Sequence, residues 1–124
     1  MKNVKIVLLA VLALSLVASL GFAAGDAEKG KVLFNDPKLG GGISGKSCNT
    51  CHPGGKGLEG VGEKTGWQTP GGKSKTLEGA VNTCITQALR GKAVDLKSQD
   101  MADIVAYIKT IKSNPTKKKK VEGC

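Results

Sequence analysis

The stretch "KSCNTCHPGG" at residues 46–55 holds two thiols, Cys48 and Cys51, and an imidazole directly after the second, His52, which is the single histidine among 124 residues. This spacing suits a structural zinc ion, a redox-active disulfide, or the covalent anchorage of a porphyrin. Zinc in a structural site takes four tetrahedral ligands, with a second pair elsewhere in the chain. The remaining cysteines, Cys84 and Cys124, are solitary, and the adjacent Cys51 and His52 are poorly placed to share one ion. A redox CxxC wants a strand leading into the motif and a helix starting within it. Here "GGGISGKS" leads in, and Pro53, Gly54 and Gly55 follow.

Haem attachment accounts for more of the sequence. Two thiols with two residues between them match the two vinyl groups of one porphyrin, and the next imidazole is placed to bind iron on one face. The chain also needs something to fill its interior. It carries 18 glycines, and its aromatic residues beyond the leader are Phe34, Trp67 and Tyr107. A domain of about 100 residues with so little bulk usually depends on a disulfide, a metal or a cofactor to complete its core. Cys48 and Cys51 are therefore expected as thioether anchors of one haem c, with His52 as the proximal ligand of its iron.

The leader points the same way. Residues 1–23 combine Lys2 and Lys5, an apolar run, and small residues at Gly21 and Ala23, which is the order of a cleaved signal peptide. The expectation is an exported domain over residues 24–112 and a basic flexible tail over residues 113–124. Export to the bacterial periplasm agrees with covalent haem attachment, which takes place outside the cytoplasm.

The elements that must position these groups are helices. Asp26 can cap a short helix through Phe34 that Pro37 ends. Residues 40–62 hold nine glycines without sustained periodicity and read as loop around a ligand. In residues 76–90, Leu77, Ala80, Val81, Cys84, Ile85, Ala88 and Leu89 draw one apolar stripe, with Cys84 at its centre, Thr76 as cap and Gly91 as stop. Residues 98–112 repeat the pattern with Met101, Ile104, Val105, Ile108 and Ile111 behind the cap Ser98. No segment reads as a strand, so the fold class expected is all-α.

With these residues in view, residues 25–112 resemble the monohaem class I cytochromes c. The match beyond CxxCH is Gly30 and Phe34 in the first helix and Ile104 and Tyr107 in "DIVAYIKTI" of the last, the positions at which the family's terminal helices cross. The resemblance implies a cytochrome c-like fold around one covalent haem. The segment "VNTCITQALRGKAVDLKSQDMADIVAYIK" is also similar to the haem region of the thiosulfate dehydrogenase family, whose cysteine in this helix binds iron opposite the histidine. That likeness implies Cys84 as distal ligand, favoured over Met101, whose alternative role is a core methionine. Cys84 can otherwise be a buried thiol or pair with Cys124.

The formal net charge of +9 suits encounter with redox partner proteins that present acidic docking surfaces. An exported, aromatic-poor chain is not expected to bind nucleic acid. The run Lys117 to Lys120 could touch anionic lipid or serve as a solvated tail. Trp67 is a candidate donor to a haem propionate or a packing residue. The expected function is a one-electron carrier and no enzyme. The alternative is a haem enzyme, or enzyme subunit, that acts on thiosulfate-like sulfur oxyanions through a Cys84-ligated haem.

Overall fold

A computed structural model describes residues 24–113 of the chain. The expected signal peptide, Lys117 to Lys120 and Cys124 lie outside the described residues. The elements are α1 (Ala27–Asn35), α2 (Cys48–Cys51), a two-stranded hairpin of β1 (Trp67–Thr69) and β2 (Gly72–Ser74), α3 (Leu77–Gln87) and α4 (Gln99–Thr110), with short 3-10 turns at Leu39–Gly41, Pro53–Gly55 and Val61–Glu63.

Each longer helix begins where its capping residue predicts. The Asp26 carboxylate accepts from the backbone amides of Glu28 and Lys29 at 2.9 and 3.2 Å. Thr76 accepts from the Gly79 amide at 3.1 Å, and Ser98 from the Met101 amide at 3.2 Å. Each of these bonds satisfies an amide that has no partner within the helix.

Helices α1 and α4 pack backbone to backbone. A side chain added at Gly30 would overlap the Asp103 carbonyl, and one added at Gly25 would overlap that of Ala102. One turn beyond Gly30, the Phe34 ring meets the Tyr107 ring edge-on, with centroids 5.1 Å apart and planes at 62°. Such a pair adds about 0.5–1.5 kcal/mol to the apolar burial. Asp103 ties the far end. It is 2% exposed, and its Oδ1 accepts from the Asp26 amide at 2.7 Å and from the Gln99 side chain at 2.6 Å. The hydrogen bonds from Asp26 and Gln99, with Lys29 nearby, outweigh burial and hold its carboxyl below the usual carboxylate range.

Two expectations change. The chain contains strand: β1 and β2 pair antiparallel with Trp67 opposite Ser74 and Thr69 opposite Gly72. Three residues are too few to show a two-residue alternation. The turn after α3 is also built differently. Arg90, not Gly91, adopts the left-handed conformation, with φ 54°. Gly91 is needed for proximity instead, because an added Cβ would lie 2.9 Å from the Gly40 carbonyl oxygen of the neighbouring loop.

Gly30→Ala is expected to lower stability by about 3 kcal/mol, since the helices must part to admit the methyl group. Val32→Ala, at an exposed site on the same helix, should change it by no more than about 0.5 kcal/mol. Equal denaturation midpoints for the two variants would contradict the close packing. A second expectation concerns acid. Because the folded-state pKa of Asp103 is depressed, its contribution is complete above the unfolded value near about 4 and is lost as pH falls through the folded value. Asp103→Asn should therefore flatten the fall in stability on acidification, measured by denaturant titration from neutral to acid pH.

Candidate functional site

The site is a cavity of about 430 Å³ bounded by α2 and the loop after it, the hairpin, and α3, with Phe34 of α1 and Ile108 of α4 on its wall. Cys48, Cys51 and His52 line it, and so does Cys84.

Local hydrogen bonds shape the CxxCH turn. The Ser47 amide donates to Thr50 Oγ1 at 3.0 Å and starts α2, a single turn in which the His52 amide donates to the Cys48 carbonyl at 2.9 Å. Beyond it, the Asn49 side-chain oxygen accepts from the Gly54 amide at 2.9 Å and folds the chain back. His52 Nδ1 then lies 3.0 Å from the Lys56 carbonyl oxygen. A carbonyl only accepts, so the Nδ1 proton is the one that satisfies this contact, and Nε2 keeps the lone pair a metal would take.

Leu77, Ala80, Val81 and Cys84 of α3 face the cavity, with Ala88 and Leu89 just beyond its end. Cys84 is thus displaced from the centre of the buried stripe. Ile85 occupies that centre with no exposed surface, while Cys84 is half-buried at the cavity wall. Burial, then the nearby Cys84 thiol, push the Cys48 thiol up to about 11. Burial and the Cys51 thiol likewise raise Cys84. At both sulfurs, burial and a neighbouring thiol disfavour the free thiolate.

Met101 is placed elsewhere. It has no exposed surface and packs with Phe34, Ile104 and Val105 in the core, outside the set of cavity-lining residues. The first turn of α4 puts it in register with the interhelical stripe, and only Ile108 of that helix reaches the cavity. Trp67 lines the cavity, but its Nε1 donates to the Val61 carbonyl at 2.9 Å. Its donor is spent on fixing the hairpin to the loop, so the propionate role does not fit its geometry.

Two contributors are not apparent from residue type alone. Asn82 grips the backbone of Val94 from both sides: its Nδ2 donates to the Val94 carbonyl, and its Oδ1 accepts from the Val94 amide, each at 2.8 Å. This clamp folds the loop after α3 back onto the helix, two residues from Cys84. Lys64, the one charged side chain on the cavity wall, has no motif to announce it.

The residues fit a covalent haem. Among the described residues, no three His, Cys, Asp or Glu side chains are grouped to hold an ion at one point. Cys48, Cys51, His52 and Cys84 instead border a space with an apolar wall, within the range of about 300–1,000 Å³ typical of small-molecule sites. A macrocycle needs such a slot with sulfur and imidazole at its edges.

Comparison with known proteins agrees with this reading. Residues 29–116 match the model of the SoxA/TsdA cytochrome c domain. No curated protein and no solved structure gives a match. Domains of this type carry haem c, covalently bound and containing iron, and serve haem-based electron transfer. With its CxxCH turn and Cys84 on one cavity, the chain belongs to the SoxA/TsdA cytochrome c domain family.

Proposed function

We propose that this protein is a periplasmic carrier of single electrons, with one haem c bound through Cys48 and Cys51, His52 as proximal ligand and Cys84 as distal ligand. The observation that carries the ligand assignment is the presence of Cys84 on the cavity shared by Cys48, Cys51 and His52, together with the burial of Met101 outside it. When bound, haem supplies a one-electron ferric/ferrous couple, and thiolate ligation stabilises its ferric state relative to a thioether.

The chain's own groups hold and insulate that centre. The Lys56 carbonyl fixes the His52 ring and its tautomer. Leu77, Val81 and Leu89 exclude water from the α3 side. Burial and the Cys51 thiol disfavour an isolated thiolate at Cys84, so loss of its proton would accompany coordination to the haem iron. Among the described residues, no helix is long and apolar enough to cross a membrane.

A second reading has one specific support, the membership in a family that includes thiosulfate dehydrogenases. In it, the Cys84-ligated haem acts on sulfur oxyanions. The carrier reading is preferred because the charged lining of the cavity is a single exposed lysine, Lys64, and no acid–base pair accompanies it.

In the purified haem protein, Cys84→Ala is expected to convert the absorption spectrum from low spin to high spin. Met101→Ala should leave the spectrum unchanged while lowering stability by about 2–5 kcal/mol, as for other buried methionines. An unchanged spectrum in Cys84→Ala would overturn the thiolate assignment. Intact-mass analysis should show a single haem. With thiosulfate and an artificial electron acceptor, the expected outcome is no turnover; sustained turnover would favour the enzyme.

A further inference from the structure

Beside the cavity, residues 38–46 and 89–92 interlock at the surface. The amides of Ile43 and Ser44 both donate to the Leu89 carbonyl at 3.1 Å, and the Lys92 amide donates to the Gly40 carbonyl at 2.7 Å. The turn is held in an uncommon shape: Arg90 is the one non-glycine residue with positive φ among the described residues. Left-handed backbone at such a residue persists only where its surroundings fix it, and it concentrates at functional positions. At this turn the chain passes from Leu89, 1% exposed and on the cavity wall, directly to Arg90, which is exposed.

Ile43 is 76% exposed on this face. Lys38, Lys46, Arg90 and Lys92 flank it, all exposed, and neither segment contains an Asp or Glu. The other large apolar side chains exposed among the described residues, Val32 and Leu96, stand in different company. Val32 has Glu28 and Asp36 one helical turn away on either side, and Leu96 follows Asp95. Ile43 combines an apolar tip, the flanking charges of Lys46, Arg90 and Lys92, and attachment to the cavity wall; only at Lys38 does the basic surround meet an acid, Asp36, whose Oδ1 accepts from the Lys38 amide at 2.8 Å.

We propose that this face is the docking surface for a redox protein whose contact area carries carboxylates, with Ile43 as the apolar contact and Lys38, Lys46, Arg90 and Lys92 as the steering charges. The proposal rests on the carrier reading and gives it a place on the molecule. A small apolar contact ringed by like charges allows fast, salt-sensitive encounter and ready dissociation, as a shuttle requires. Leu89 and the Ser47–Cys48 backbone keep that contact close to the cavity, where electron exchange over a short distance is fastest.

The test uses the complete haem protein in its ferric state, reduced in a stopped-flow instrument by flavodoxin hydroquinone, an acidic protein donor. Ile43→Glu, Lys46→Glu and Arg90→Glu should each slow reduction at low ionic strength, by roughly tenfold or more when two charges are reversed together. The difference should shrink as salt is added. Lys31→Glu, on α1, should stay within about twofold of the parent. Lys46→Glu and Ile43→Glu keep the test valid should Arg90→Glu disturb its left-handed turn. Equal rates for all variants, or an equal effect from Lys31→Glu, would overturn the proposal. So would a dimer, detected by sedimentation, that Ile43→Glu dissociates, since the face would then belong to a second copy. Dithionite should reduce every variant alike; failure of the parent protein to accept electrons from either donor would count against the carrier reading itself.

Discussion

The contact of the α1 and α4 backbones at Gly30 is the constraint on which the remaining structure depends. A peptide carbonyl, that of Asp103, occupies the space where any other residue would carry a side chain. This proximity sets Phe34 edge-on against Tyr107 and carries Phe34 and Ile108 to the cavity wall. The Asp103 carboxylate then fixes the start of α1 through the Asp26 amide. One absent methyl group thus governs both the helix pair and one boundary of the site.

Polar side chains around the cavity are largely committed to backbone groups. His52 Nδ1 meets the Lys56 carbonyl, Trp67 donates to the Val61 carbonyl, and Asn82 takes both polar groups of Val94. The first two bonds shape glycine-rich segments that would gain little from apolar burial alone, and the Asn82 pair shapes the loop after α3. What remains toward the cavity is chiefly sulfur, one imidazole nitrogen and apolar surface, with Lys64 and Gln68 among the polar exceptions on its wall. That residue chemistry suits a large apolar group with a metal at its centre better than a bare ion or a polar substrate.

The residues made helix starts legible because Asp26, Thr76 and Ser98 each satisfy orphan amides locally, with no need of tertiary context. The Gly30, Phe34, Tyr107 relation was legible for a similar reason: glycine and an aromatic ring one turn apart have few uses besides a close crossing. Other features depended on contacts remote in sequence. The hairpin is held by Trp67 reaching Val61 and is too short for a periodic signal. Arg90 takes the left-handed turn because Gly91 is required against Gly40, a contact between loops about fifty residues apart. The apolar stripe of α3 showed that Cys84 is inward, but three-dimensional packing decides that Ile85 faces the core and Cys84 the cavity. Met101 follows the same logic in reverse: its ligand chemistry was visible, and its register on α4 directs it into the core.

In the proposed function, sulfur from α3 and imidazole from the CxxCH turn would serve one iron. Electron paramagnetic resonance of the purified ferric protein tests this most directly. A low-spin signal with the g-anisotropy of histidine–thiolate ligation, lost in Cys84→Ala and retained in Met101→Leu, is the expected result. A histidine–thioether signature that disappears in Met101→Leu would contradict it.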